Sequence, residues 1–179
     1  MLRRFAVLLA MVGCIAVFGA AGCGSKSSSS TSAGTTPAST STTHFAKTKF
    51  VFHAGLAFGA FHHFIYNPYR AGNFRHPLSH KASVVKAALA GTFVYHELKL
   101  AANDVKSSKI LSTLFAPITI VANKIRGLGG SIKAGQDPSS EISSANSSLA
   151  SIKSTAASNG QPITEQVPTA SQLASGSVR

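Results

Sequence analysis

Residues Lys81–Asn103 read KASVVKAALAGTFVYHELKLAAN, and at 3.6 residues per turn this segment predicts a helix with two apolar faces. One face carries Val85, Leu89, Phe93, His96 and Leu100, and the other carries Ala87, Ala90, Val94, Leu98 and Ala101. Glu97 and Asp104 lie on a polar seam between the faces, where we expect both to be solvated. Because a helix apolar on two sides needs two partners, we predict an all-α fold, a small bundle of about four helices.

Three further segments carry apolar residues at helical spacing. They are Phe50–Tyr66, ended by Asn67 and Pro68; Ser107–Arg126, stopped by the glycines at 127, 129 and 130; and a serine-rich helix that begins at Asp137 and closes at Asn159 and Gly160. Pro117 either kinks the second helix or starts a new one in its first turn. Gly55 and Gly59 allow another backbone to approach Phe50–Tyr66 closely, as in membrane helix pairs.

The N-terminal residues have the pattern of an export signal. Two arginines precede the apolar run 5–18, and the segment ends in Ala20-Ala21-Gly22-Cys23. This pattern, which covers residues 1–23 only, resembles the lipobox signal peptide of bacterial lipoproteins. The resemblance implies cleavage before Cys23 and attachment of a diacylglyceryl group to its sulfur, with acyl chains such as palmitate. Lipidation at Cys14, an ordinary signal peptide and an uncleaved anchor are the alternatives.

The composition along the chain predicts four parts. These are a signal peptide, 1–22; the lipidated cysteine with a disordered Ser/Thr-rich linker, 23–45; the helical domain, 46–160; and a disordered tail, 161–179. Gly, Ser, Thr, Ala and Pro dominate the linker, and such a run buries too little apolar surface to fold. We therefore expect an exported protein anchored by its N-terminal lipid to the outer face of a bacterial membrane.

The sequence lacks the residues and motifs that several classes of enzyme need for catalysis. It carries a formal charge of +12 with only five acids, so convergent carboxylate pairs are scarce. No G-x-S-x-G sequence and no phosphate-binding glycine loop is present. If Cys14 is removed and Cys23 acylated, the mature chain has no free thiol for catalysis, a disulfide or Cys-ligated zinc. We predict a non-enzymatic protein.

All seven histidines lie between residues 44 and 96. The weak candidates for a transition-metal or haem site are His53, His62, His63 and His96, because imidazole is a common ligand for such metals. No two of these four have the i, i+4 spacing that places two ligands on one helix face. We therefore expect no cofactor and keep a histidine-rich metal or haem binder as the alternative function.

Basic and aromatic side chains are interleaved around the connection 67–80, which is the longest segment of the domain without helical periodicity. The candidates are Arg70, Arg75, Lys81 and Lys86, with Tyr69 and Phe74. Such surfaces favour polyanions. We expect an interaction module for an anionic envelope surface, lipid or polymer, or for a protein partner, and no nucleic acid because the protein is exported. A second alternative is a membrane complex in which Phe50–Tyr66 is inserted in the bilayer.

Overall fold

The computed structural model describes residues 38–176, with side chains from residue 44 onward except that of Lys133. All of these residues belong to one compact unit, residues 36–179. The predicted signal peptide, Cys23 and the linker as far as residue 37 lie outside the described residues.

The described residues form helices and contain no strand, which confirms the all-α prediction. In chain order the elements are α1 (Ala38–Phe61), a π-helical turn (His62–Tyr66), α2 (Asn67–Arg70), α3 (Lys81–Lys106), a 3₁₀ turn (Ser112–Leu114), α4 (Phe115–Lys133), α5 (Ser139–Ser158) and α6 (Ala170–Ser175). The long helices α1, α3, α4 and α5 form the bundle. Within this part of the chain, no helix is long and apolar enough to cross a membrane.

Helix α3 is the central helix, since it packs against both α1 and α4. The predicted face Ala87, Ala90, Val94, Leu98 and Ala101 is fully buried. The other predicted face is wrong: Phe93 is buried, but Val85 is 59 % exposed and Leu89 43 % exposed. The prediction that Glu97 lies on a solvated seam is also wrong, because Glu97 is completely buried. The helix is thus rotated so that Glu97, and not His96, faces a neighbouring helix.

Helix α1 is longer than predicted at both ends. It begins at Ala38, so residues 38–45 of the predicted disordered linker are helical. At the other end the helical path continues through the π-helical turn and past Pro68 into α2. Pro68 lies in the first turn of α2, directly after the π-helical turn.

The predictions for helices α4 and α5 were partly correct. Pro117 lies in the first turn of α4, the second of the two predicted alternatives. The three glycines expected to stop this helix lie inside it, because Leu128 and Ile132 continue its buried face. Helix α5 buries the predicted stripe of Ile142, Ala145, Leu149, Ile152 and Ala156.

The predicted disordered tail is wrong for residues 161–176. Residues 161–169, here called the C-terminal strap, run extended and bury Ile163, and α6 follows with Leu173 buried. A capping box between Thr169 and Gln172 starts α6. Local composition underestimated this segment because its few apolar residues are buried by contacts with distant helices.

The strap lies against the two glycines of α1. The backbone N–H of Gln166 donates to the carbonyl oxygen of Gly55 at 2.9 Å. A Cβ atom at Gly55 would meet the carbonyl oxygen of Thr164, and one at Gly59 would meet the backbone of Gln166. The prediction that another backbone approaches these glycines is confirmed, but that backbone is an extended segment and not a second helix.

Candidate functional site

Three of the predicted basic and aromatic residues line one cavity. It has a volume of about 340 Å³ and lies between the loop that follows α2 and the turn between α4 and α5. We call it the Arg75 cavity; it is lined by Tyr69, Phe74, Arg75, Pro77, Val84, Ile132, Gly135, Gln136, Asp137, Pro138 and Ser139. The α4–α5 contribution was not predicted, because only the tertiary fold brings that turn to the loop.

The loop side of the cavity is held by local contacts. Tyr69, Phe74 and Val84 pack against the core, and Asn73 donates a hydrogen bond to Ser83 Oγ at 3.2 Å across the loop. Gly72, with φ of 78°, supplies the left-handed turn that reverses the chain after α2. These contacts place the aromatic side chains inward and leave Arg75 exposed at the rim.

The other side carries a carboxylate. Asp137 Oδ1 accepts a hydrogen bond from the backbone N–H of Ser139 at 3.1 Å and another from the Ser139 hydroxyl. These two hydrogen bonds, the hydroxyl first, and the positive charge of Arg75 hold the pKa of Asp137 below its usual value. The cavity therefore holds a fixed negative charge and an exposed cation.

The remaining predicted cations lie elsewhere. Arg70, Lys81 and Lys86 are exposed and do not line the cavity. A second group of cations, which the sequence did not single out, lies over aromatic rings along the α3–α4 seam. Lys99 and Arg126 lie 6.0 and 5.6 Å from the ring centre of Tyr95, and Lys106 lies 4.5 Å from that of Phe115. Tyr95 and Lys99 share one helix face, so their contact was predictable from the sequence. The contact of Arg126 with Tyr95 was not, because the tertiary fold brings α4 beside α3.

The four candidate histidines are dispersed. His63 and His96 are exposed, while His53 and His62 each pair with a different carboxylate. Among residues 44–176 whose side chains are described, no three His, Cys, Asp or Glu side chains are grouped as metal ligands. In the described part of the chain, the four candidate histidines therefore do not converge on one point.

His53 belongs to a charged cluster between α1 and α3. Its Nδ1 lies 2.7 Å from Oε2 of the buried Glu97, and its Nε2 lies 3.9 Å from Asp104. Glu97 Oε1 is buried with no hydrogen-bond partner in the described part of the protein. Burial raises the pKa of Asp104, and the charges of His53 and Lys49 oppose this effect. The cluster joins two helices in the core.

His62 belongs to a second cluster, which ties the strap to the bundle. Its Nδ1 lies 2.7 Å from Glu165 Oε2, and its Nε2 lies 3.0 Å from Asn146 Oδ1 on α5. Lys153 donates to Glu165 Oε1 at 2.7 Å. Burial raises the pKa of Glu165, but the hydrogen bonds and charges of Lys153 and His62 outweigh it and lower that pKa overall. Sequence reasoning missed Glu165 because it assigned this residue to a disordered tail.

Comparisons of the chain with family models, with curated proteins and with solved structures found no match. The fold and the arrangement of these residues are therefore the basis for any functional statement.

Proposed function

We propose that this chain is an exported bacterial lipoprotein whose basic helical domain binds an anionic envelope surface and catalyses no reaction. The observation that carries the proposal is the separation of charge between the interior and the surface. Acidic side chains are engaged inside the bundle or at helix ends, while cations face outward.

Three of the five acids are paired within the bundle and contribute little negative charge to the surface. Glu97 is buried against His53, and Glu165 is paired with both Lys153 and His62. Asp104 lies beside His53 and is largely buried. Among the residues whose side chains are described, the exposed cations are Lys49, Arg70, Arg75, Lys81, Lys86, Lys99, Lys106, Lys109, Lys124 and Arg126. A surface of this kind attracts anionic lipid head groups or acidic polymers.

The lipobox pattern at Cys23 supports the location of this surface. Two acyl chains give firm anchoring, whereas a single chain holds a protein only marginally. A domain tethered close to a bilayer has a high local concentration of head groups, so weak electrostatic contacts suffice for binding.

Binding of residues 36–179 to lipid vesicles tests the proposal, because this compact unit has its own core. We expect binding to vesicles that contain phosphatidylglycerol and none to pure phosphatidylcholine. Replacing Lys81 and Lys86 together by Gln should weaken binding about 30-fold, at about 1 kcal/mol per cation near the surface. Thr92→Gln, at an exposed neutral position on α3, is the control. Equal binding to both vesicles would refute the proposal.

Lipidation at Cys23 is tested separately in the full chain. We expect the wild-type protein to fractionate with membranes and to incorporate labelled palmitate. Cys23→Ser should abolish both, because the hydroxyl cannot form the thioether. Cys14→Ser is the matched control and should change neither; loss of label in that variant alone would place the lipid at Cys14.

A further inference from the structure

We propose that the Arg75 cavity binds a compact zwitterion, a molecule that carries an oxyanion and an ammonium group a few bonds apart. The oxyanion would contact Arg75 and the ammonium group would contact Asp137. A phosphoethanolamine head group and a free amino acid share this chemistry. The inference goes beyond the proposed function, since selective binding in a cavity does not follow from a basic surface.

The cavity has the dimensions of a small-molecule site. Its volume of about 340 Å³ lies at the lower end of the range for such sites, which suits a compact ligand. Tyr69, Phe74, Val84 and Ile132 supply apolar walls, and polar groups make up a comparable share of the lining. Polar groups placed in a pocket can fix the orientation of one ligand.

Arg75 and Asp137 line the same cavity, but no ion pair joins them. The backbone N–H of Arg75 donates to Gly72, but its guanidinium forms no ion pair with the described residues, so its planar donor fork is available to an oxyanion. The positive charge of Arg75 is nevertheless near enough to lower the pKa of Asp137. A ligand with both charges can satisfy the two side chains at once.

Asp137 is held in position for this role. Its Oδ1 accepts both hydrogen bonds from Ser139, and its Oδ2 has no hydrogen-bond partner among the described residues. A ligand that is only anionic is attracted by Arg75 and repelled by Asp137. A ligand that is only cationic is attracted by Asp137 and repelled by Arg75. The two side chains together therefore favour a zwitterion.

Calorimetric titration of residues 36–179 tests the inference with defined probes. These are phosphoethanolamine and leucine as zwitterions, glycerol phosphate as an anion and ethanolamine as a cation. At least one zwitterion should bind about tenfold or more tightly than either singly charged probe, since each charge-assisted hydrogen bond adds affinity. If neither zwitterion binds better than the singly charged probes, the inference is wrong.

Two variants separate the roles of the charges. Arg75→Gln should weaken zwitterion binding about tenfold, whereas Asp137→Asn should weaken it and strengthen glycerol phosphate binding. Asn retains an oxygen that accepts from Ser139, so the start of α5 is preserved. Lys109→Gln and Glu141→Gln remove charges outside the cavity and should leave these affinities unchanged. If they change affinity as much as the cavity variants, overall charge is responsible and the inference fails.

The source of the ligand is distinguished with vesicles of phosphatidylcholine, whose quaternary ammonium group has no N–H to donate to Asp137, that contain or lack phosphatidylethanolamine. Binding only to the vesicles with phosphatidylethanolamine would identify a lipid head group, and binding of free zwitterions alone would identify a soluble ligand. Binding to phosphatidylglycerol vesicles without preference for any zwitterion would overturn this inference and leave the proposed function intact.

Discussion

Glu97 is the residue whose surroundings differ most from those of an ordinary helical glutamate. It is fully buried, with one carboxylate oxygen on His53 and the other without a partner in the described residues. A buried ion pair adds little net stability compared with apolar side chains, but removing one partner leaves a buried charge. The pair therefore makes the α1–α3 contact sensitive to the loss of either member.

A double-mutant cycle tests this dependence. His53→Leu alone should destabilise the fold by about 1–3 kcal/mol, because the buried carboxyl group of Glu97 loses its hydrogen-bond partner in the core. Adding Glu97→Leu should recover most of that loss. The free energy of unfolding is measured by urea titration with circular dichroism. A double variant as unstable as His53→Leu would show that packing around the pair, and not charge, sets the cost.

The burial of Glu97 illustrates what a helical wheel does not determine. The wheel correctly predicted that α3 has partners on two sides and that Ala90, Val94 and Leu98 are buried. It could not determine the rotation of the helix, because a carboxylate is acceptable in the core only with a partner such as His53. That partner lies 44 positions away in the sequence.

The C-terminal strap is the element that depends most on one local feature, the pair of glycines on α1. Gly59→Ala should destabilise the protein by about 1–3 kcal/mol, because its Cβ would overlap the backbone of Gln166. Increased cleavage of the strap by a nonspecific protease should accompany this loss. The measurements are urea unfolding and limited proteolysis with mass analysis.

Gly127→Ala is the matched control for that experiment. Gly127 is exposed inside α4, and a Cβ there would meet nothing within 4 Å. This variant should gain about 0.5–1 kcal/mol because alanine has the higher helix propensity. If Gly59→Ala is stabilised to the same extent and its strap stays protected from the protease, Gly59 does not lie in close contact with Gln166.

Glu165 makes the attachment of the strap dependent on pH. Its pKa is lowered in the folded protein, so its charged form stabilises the fold above the unfolded-state pKa. That contribution is lost as the pH falls through the folded-state pKa. We expect Glu165→Gln to be less stable than wild type at neutral pH, with the difference shrinking as the pH falls below the ordinary carboxylate value of 4.5 and vanishing below the folded-state pKa.

Urea unfolding at a series of pH values measures this difference. Glu141→Gln is the comparison, because Glu141 accepts a hydrogen bond from the Ser140 hydroxyl, forms no salt bridge with the described residues and lies far from the strap in sequence. A stability difference for Glu165→Gln that stays constant from neutral to acid pH would contradict the account.

Elements with strong local signals were predictable, and those made by distant contacts were not. The start of α3 and the stripe of α5 followed from periodicity, and the first turn of a helix was one of the two alternatives predicted for Pro117. The helical run through the glycines of α4 and the order of the strap depend on burial against other helices. Three of the residues predicted to bind an anionic surface, Tyr69, Phe74 and Arg75, line the Arg75 cavity. The sequence did not indicate that Asp137 lies beside them, because the tertiary fold brings it there.

At the scale of the whole molecule, the proposal depends on many exposed cations and on three acids, Glu97, Asp104 and Glu165, that are paired within the bundle. A net charge of +12 in the sequence alone does not separate a solvated surface from a binding surface. The structure adds that Glu97 and Glu165 are paired with residues of the bundle, which leaves the exposed cations with few acidic neighbours.

The salt dependence of vesicle binding tests this central claim most directly. Residues 36–179 are titrated with phosphatidylglycerol vesicles while ionic strength is raised from about 0.05 M to about 0.5 M, which shortens the screening length severalfold. We predict that affinity falls steeply and that the unit is released at the highest salt. An affinity that stays unchanged across the series would contradict an electrostatic binding surface.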